Sequence, residues 1–279
     1  MKEEWDNLNL RSGKWSHYFK IYEHEIRNLD RTNFTLIEVG VKGGGSLEYW
    51  KLRYPSARII GIDLNPKCLS IDPNFEIYIG DQADPEFWDE LFKSVGSIQV
   101  LIDDGGHSYH QQIQTVESAL KYMEEGVIIV EDTHTSFLND FFPETSYTFM
   151  EYATSVANLI SLKSYSDDPQ RFSFQPNQNV MHFYENIHSV SFYQNIVVFR
   201  ISRKDASKSG RSIVNSGKSS EIDDFRYNGL KSSFVPSFDS IYNLHLIETP
   251  LPPIEPSSFL NNFRKLVRIM FSWIRKFQR

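Results

Sequence analysis

The sequence predicts an α/β domain: a mostly parallel, Rossmann-like sheet of seven strands with helices on both faces, followed by a C-terminal extension of different character. Three observations carry this. From Phe34 to Arg200, short β-branched runs alternate with amphipathic stretches, the pattern of parallel strands joined by crossover helices. The runs are continuously apolar at their centres, as strands covered on both faces must be. Glycines and carboxylates gather directly after the runs, where an open parallel sheet collects its ligands.

Taken in order, FTLIEVG (34–40) is the first strand and SLEYWKLRY (46–54) the first crossover helix. ARIIGIDL (57–64) and FEIYIGD (75–81) are the next two strands, and DPEFWDELFKSV (84–95) is a helix. SIQVLIDD (97–104) is the fourth strand, and Ile113, Val116, Leu120 and Met123 mark a helix of period 3.6 before the fifth, GVIIVED (126–132). TFMEYATSVANLISL (148–162) is a further helix, and VSFYQNIVVFRIS (190–202) reads as two strands closing the sheet as an antiparallel pair.

The chain is thus expected to comprise an N-terminal helical lid segment (1–30), the α/β domain (31–202), a flexible linker (203–256) and a basic amphipathic helix (257–279). Ser, Lys and Gly dominate 204–220, which marks the linker. In the last segment Arg264, Lys265, Arg268, Arg275, Lys276 and Arg279 stand with no acid, and Phe259, Phe263, Leu266, Met270, Ile274 and Phe277 recur at helical spacing. Such a helix serves either to contact an anionic membrane surface or to pack on the domain or on a second subunit of a homo-oligomer.

With 36 acidic against 29 basic residues and 40% hydrophobic composition, the chain can bury a sizeable core and lacks the basic excess of a nucleic-acid binder, so no nucleic-acid partner is expected. Cys68 is the single cysteine, which excludes an intrachain disulfide. The start has no apolar stretch of signal-peptide length, and no run approaches the ~18 apolar residues of a membrane span. The expected location is cytoplasmic, with peripheral contact at the inner membrane surface if the basic helix serves that purpose.

After the first strand, Gly40, Gly43, Gly44 and Gly45 allow a tight turn and close approach of a ligand, and Ser46 can cap the following helix. Lys42 breaks the dinucleotide pattern G-x-G-x-x-G, and no Gly-Lys-Ser/Thr completes a P-loop. Asp63 closes the second strand 23 residues after Gly40, where a carboxylate can accept ribose hydroxyls. Asp81 and Gln82 end the third strand, suited to the exocyclic amine of an adenine ring. Glu38, just inside the first strand, suits an ammonium- or sulfonium-bearing ligand. Together these glycines and acids resemble the S-adenosylmethionine site of class I methyltransferases.

The fourth and fifth strands end in IDDGGHSYH, with Asp103, Asp104, His107 and His110, and IVEDTHTS, with Glu131, Asp132 and His134. Carboxylates converging from neighbouring strand ends repel one another unless a cation lies between them. Oxygen ligands suit a hard ion such as magnesium, and the missing cysteine pairs disfavour zinc. The expected ligands are Asp104, Glu131 and Asp132, with Asp103 assigned to the cofactor. Magnesium on a sugar hydroxyl would lower its pKa, two vicinal hydroxyls could chelate it, and His107 is placed to take the proton, with His110 and His134 as second choices.

KWSHYFKIYEHEI (14–26), IEVGVKGGGSLEYWK (37–51), GDQ (80–82), IDDGGH (102–107) and VEDTHTS (130–136) follow in the order found in macrolide-sugar O-methyltransferases of the mycinamicin type, and are similar to motifs in tetracenomycin rhamnosyl O-methyltransferases. The resemblance covers roughly residues 10 to 200. It implies methyl transfer from S-adenosylmethionine to a hydroxyl of a sugar, glycosylated metabolite or glycan, magnesium on Asp104, Glu131 and Asp132, and His107 as base. Gly106 departs from the serine usual in the Asp-Gly-x-His segment. Lys14, Trp15, Tyr18 and Tyr22 read either as a lid over the cofactor or as an ordinary packing segment. Two other readings keep the fold: a non-heme iron hydroxylase-like enzyme using His107 with carboxylates, and a non-catalytic glycan or membrane adaptor.

Overall fold

The computed structural model describes residues 2–27, 33–141, 147–162 and 184–206. The chain divides into two units, Met1–Ser209 and Gly210–Arg279. The expected basic helix at 257–279, and the expected linker apart from a short helix Arg203–Ala206, lie outside the described residues.

Two helices, α1 (Lys2–Asp6) and α2 (Tyr18–Ile26), precede β1 (Thr35–Val39), α3 (Gly45–Arg53), β2 (Arg58–Asp63) and β3 (Glu76–Ile79). Then come α4 (Pro85–Val95), β4 (Val100–Asp103), α5 (Tyr109–Leu120), β5 (Glu125–Val130), α6 (Phe149–Leu162), β6 (Ile187–Tyr193) and β7 (Ile196–Ser202). The seven strands form one sheet in the order β3-β2-β1-β4-β5-β7-β6, parallel from β3 through β5 and antiparallel at β7 and β6. This is the mostly parallel, seven-stranded architecture that the sequence predicts. The strands end a residue or two earlier than their apolar runs suggest, β3 at Ile79, β4 at Asp103 and β5 at Val130, so that Asp81, Asp104 and Glu131 stand just beyond them.

Local chemistry sets the helix limits. Asp84 caps α4 by accepting the Glu86 N–H (2.9 Å) with Pro85 at the first position, and Gly96 ends it at φ +82°. At the start of α5, Ser108 donates through its N–H and hydroxyl to Gln111 Oε1 (3.3 and 2.7 Å), one arm of a capping box.

Alternation along the strands divides the core. Leu36, Val100, Ile102, Val127, Ile129 and Val198 pack with Tyr18, Tyr22, Tyr49 and Trp50 beneath α2 and α3. Residues of opposite parity, among them Ile37, Leu101, Ile128 and Phe199, are fully buried on the other face, where Phe149 and Tyr152 of α6 meet Phe199 (ring centroids 6.3 and 6.4 Å). Trp5 of α1 sits edge-on to Phe19 and Tyr49 (5.1 and 5.2 Å), tying the chain start to this core.

The far edge is tied to α2 through Glu25, a buried carboxylate that accepts the Tyr193 hydroxyl (2.6 Å) and the Arg200 guanidinium. Arg200→Met should strand that carboxylate and lower unfolding stability by about 2 kcal/mol, below the ~3–5 kcal/mol of a wholly buried pair because Arg200 is partly exposed. Urea denaturation checks this; an unchanged midpoint would mean that α2 is held without the clamp.

Candidate functional site

The order of strands reverses between β1 and β4, and the expected site residues lie at the carboxyl ends around that point. Parity then decides which of them meet. Glu38 continues the row of Leu36, Asp104 that of Val100 and Ile102, and Glu131 that of Val127 and Ile129, so the three carboxylates emerge on the face covered by α2 and α3. Asp103, one residue earlier, points to the opposite face.

A lysine fills the centre of the first group. Lys14 Nζ donates to Glu38 Oε1 (3.0 Å), Asp104 Oδ2 (2.7 Å) and both Glu131 oxygens (2.8 and 2.9 Å), with its side chain 2% exposed. Trp50 Nε1 donates to Glu38 Oε2 (3.1 Å), and the Tyr22 hydroxyl donates to Glu131 Oε1 (2.6 Å). Burial would lower the Lys14 pKa, but Glu131, the Tyr22 phenol, Glu38 and Asp104 outweigh it and hold the ammonium above the usual lysine range. Burial also pushes the Glu38 carboxyl up and that of Glu131 up to about 8, against the pull of Lys14.

Asp132 and His107 form a second group with Asp104. His107 Nε2 lies 3.8 Å from Asp104 Oδ1 and 3.7 Å from Asp132 Oδ2, while Asp132 Oδ1 accepts the Tyr18 hydroxyl (2.7 Å). Both residues are in the left-handed region, His107 at φ +57° and Asp132 at φ +52°. Such backbone strain in non-glycine residues persists where surrounding structure imposes it. Here the Thr135 hydroxyl donates to the His107 carbonyl (3.0 Å), and the Thr133 N–H donates to the Asn195 carbonyl (3.1 Å). A cavity of about 300 Å³ opens over Asp104, Glu131 and Asp132, walled by Gly13, Lys14, Trp15 and Tyr18.

The expected metal ligands therefore share one cavity but fall into two groups able to hold a cation. Asp104, His107 and Asp132 form one, and Glu38, Asp104 and Glu131 the other, where the ammonium sits. The donors are carboxylate oxygens with a single imidazole, which fits a hard divalent ion. Among the described residues neither group contains the two histidines of an iron facial triad. His134 Nδ1 lies 3.9 Å from Asp132 Oδ1, at the edge of the second group, and His110 is exposed on α5.

The expected cofactor residues divide between accessible and buried. Asp63, at the end of β2, is partly exposed, and Asp81, beyond β3, is exposed. Asp63 Oδ2 accepts the Val41 and Lys42 N–H groups (2.9 and 3.0 Å), which fastens the glycine turn to β2. Burial is the largest single influence and raises the Asp63 pKa, but the Lys42, Asn65 and Val41 N–H donors and the Cys68 thiol together outweigh it, so the group is held below the usual carboxylate range. Two acceptors at neighbouring strand ends beside the switch point fit a nucleoside.

Gln82 and Asp103 are buried and serve each other: Gln82 Nε2 donates to both Asp103 oxygens (3.1 and 3.2 Å), and Gln82 Oε1 accepts the Gly106 N–H (2.7 Å). They brace the turn that carries His107. Ser46 is buried beside Glu38, and neither is open to the cavity. A side chain at Gly40 would fall on the Asp104 carbonyl, and one at Gly43 would meet the Arg11 carbonyl at 2.7 Å. Thus these two glycines admit protein backbone.

Sequence reasoning misses the place of Lys14 and the two tyrosines within the acid cluster. Tyr18 and Tyr22 pack in the core with hydroxyls on Asp132 and Glu131, whereas Trp15 is 55% exposed at the cavity rim. The available signal was partial: Tyr18 and Tyr22 stand four residues apart on one face of α2, whereas Lys14 lies in the loop before it.

No protein-family model matches the chain. It is 28% identical over 182 residues to mycinamicin VI 2''-O-methyltransferase of Micromonospora griseorubida, covering 60% of this chain and 45% of that protein. It is 30% identical over 142 residues to 8-demethyl-8-alpha-L-rhamnosyl tetracenomycin-C 2'-O-methyltransferase of Streptomyces olivaceus, covering 47% of this chain and 38% of that one. The chain thus spans less than half the length of these curated relatives. Among solved structures, the MycE methyltransferase of the mycinamycin biosynthetic pathway, in complex with Mg and SAH, superposes with a TM-score of 0.60 at 25% identity, over 69% of this chain and 52% of that one. A second crystal form gives a TM-score of 0.58 at 26% identity, over 67% and 49% of the two chains. The domain has the Rossmann-like methyltransferase fold and resembles sugar O-methyltransferases of class I.

Gln82→Leu should remove the side-chain donors of Gln82 from the Asp103 carboxylate and cost about 2 kcal/mol of stability. Asp81→Ala, at an exposed position whose carboxylate accepts the Ala83 N–H (2.8 Å), should cost no more than about 1 kcal/mol. Equal losses in chemical denaturation would contradict the division into bracing and accessible acids.

Proposed function

We propose that the chain is an S-adenosylmethionine-dependent, magnesium-assisted O-methyltransferase acting on a hydroxyl of a sugar or glycosylated small molecule. The observation that carries this reading is at the ends of β4 and β5. Asp104 and Asp132, which line a cavity of about 300 Å³, each turn one oxygen toward His107 Nε2, at 3.8 and 3.7 Å. The likeness to sugar O-methyltransferases supports the choice of reaction, and the MycE complex with Mg and SAH supports the choice of cofactors.

S-adenosylmethionine, when bound, supplies a methyl group on a sulfonium sulfur. Its nucleoside would lie along β1, β2 and β3, with Asp63 accepting from the ribose and Asp81 from the adenine amine. Magnesium, when bound, makes a sugar hydroxyl more acidic and fixes its direction. Asp104, Glu131 and Asp132 would hold that ion, and vicinal hydroxyls of the acceptor suit it. Lys14 neutralises part of the surrounding charge through Glu38, Asp104 and Glu131, and Asp132 adds a further carboxylate beside Asp104 for a divalent ion. His107 Nε2 takes the acceptor's proton, in a turn fixed by Thr135 and by the Gln82–Gly106 bond.

Calorimetric titration in magnesium should show binding of S-adenosylmethionine and none of NAD. Failure to bind S-adenosylmethionine would overturn the cofactor assignment. With a panel of glycosides, labelled methyl transfer should cease in EDTA and return with magnesium. Asp104→Ala and Asp132→Ala should abolish it while keeping cofactor binding. His107→Ala should slow turnover by about 10²- to 10⁴-fold. Full activity in EDTA would remove the metal role, and a parental rate in the histidine variant would move the base elsewhere.

A further inference from the structure

Three aromatic side chains stand in a row beside the strand-end acids, and each gives its polar atom to a different one. Tyr18, Tyr22 and Trp50 pack edge-on in succession, with ring centroids 6.3 and 5.1 Å apart. The Trp50 indole is on Glu38, the Tyr22 hydroxyl on Glu131 Oε1 (2.6 Å) and the Tyr18 hydroxyl on Asp132 Oδ1 (2.7 Å). Two of the three come from α2, and the acids those two meet are adjacent in the chain.

The two phenols act alike. Each donates its proton to a single carboxylate oxygen, which restricts rotation of the group and leaves the second oxygen turned elsewhere. Glu131 Oε2 then faces the Lys14 ammonium (2.9 Å), and Asp132 Oδ2 faces His107 Nε2 (3.7 Å). Tyr18 does more: its oxygen accepts the Asp132 N–H (3.3 Å), so one hydroxyl clasps both the backbone and the side chain of a residue held at φ +52°.

Helix α2 depends on such contacts in return. It has nine residues, and His17 at its start makes no side-chain cap bond. A helix that short is not stable by itself in water. Its place therefore rests on buried side chains, Phe19, Ile21 and Ile26 among them, and on the bonds made by Tyr18, Tyr22 and Glu25.

We propose that Tyr18 and Tyr22 are positioning residues that aim Asp132 and Glu131 at the divalent ion, so that binding of the ion and seating of α2 strengthen each other. Hydrogen bonds behind ligating carboxylates orient them and contribute about 10- to 100-fold in metal affinity. Coupling of this kind is reciprocal: the bound ion should oppose the opening of α2 by the factor that the hydroxyls add to its affinity. This rests on the proposed metal-assisted reaction, with Asp104, Glu131 and Asp132 as ligands, and adds what holds two of those ligands in place.

The test uses the EDTA-stripped full chain, Mn²⁺ as the calorimetric probe, and S-adenosylmethionine present and absent. Tyr18→Phe and Tyr22→Phe should each weaken Mn²⁺ binding by about 10- to 100-fold. Tyr49→Phe, in the same aromatic cluster but in charge contact with Glu4 and Glu23, should leave it within about twofold. In the Asp132→Asn background, Tyr18→Phe should cost less than about threefold more, because its effect passes through that carboxylate. Hydrogen exchange of residues 18–26 in the parent should slow by about 10- to 100-fold in saturating Mg²⁺, and the double variant with both tyrosines replaced should lose most of that slowing. Merely structural tyrosines would lower stability in EDTA yet leave the Mn²⁺ affinity and the metal-dependent exchange alone. If a variant does not fold, exchange of the parent with and without Mg²⁺ decides. Parental Mn²⁺ affinity in both single variants, or exchange of α2 indifferent to Mg²⁺, overturns the proposal while leaving the metal reading intact. No Mn²⁺ binding by the parent, with S-adenosylmethionine bound, overturns the proposal and the metal reading together while sparing the cofactor.

Discussion

The site depends on the repulsion among Glu38, Asp104 and Glu131, which strand register brings to one face of the sheet, with Asp104 and Glu131 two residues beyond the level of Glu38. Two of the three are almost fully buried, so water cannot screen them. A positive charge placed among them offsets that repulsion, and Lys14 provides it from outside the sheet. The aromatic packing of α2 and the seating of residues 9–14 on the glycine turn hold that charge in place.

From that constraint the division of labour among neighbouring acids follows. Asp103 and Asp104 are adjacent in sequence, yet one braces a turn with Gln82 while the other faces the cavity. Glu131 and Asp132 differ in the same way: the first continues the strand's alternation, and the second departs from it through a left-handed backbone. Geometry of this kind is costly for ordinary residues, and its recurrence at His107 places the strain where the proposed proton transfer occurs.

Much of the fold was legible because continuous apolar runs leave few alternatives: β1 to β5, their helices and the antiparallel pair all stand where Phe34 to Ser202 place them. The cavity's acids were legible as residues at strand ends. Their separate roles were less so, since Gln82, Asp103, Glu38 and Ser46 look like ligand contacts by position but are buried in the structure. Parity along IDD and VED carried part of that distinction. Lys14 was recognised only as part of an N-terminal segment, because no periodicity connects a loop residue to strands 90 and 117 positions away.

Those separations give the site a history as well as a geometry. Lys14 leaves the ribosome long before Asp104 and Glu131 exist, so the cluster cannot assemble until the fifth strand has been made. Contacts of such length carry a loop-closure cost that the pairing of the intervening strands offsets. The last partner arrives still later, when the turn between β6 and β7 brings the Asn195 carbonyl to the Tyr18 hydroxyl (3.2 Å). The beginning of the domain therefore finds its full set of partners only once the final hairpin has been made, a keystone that needs both sides of the arch.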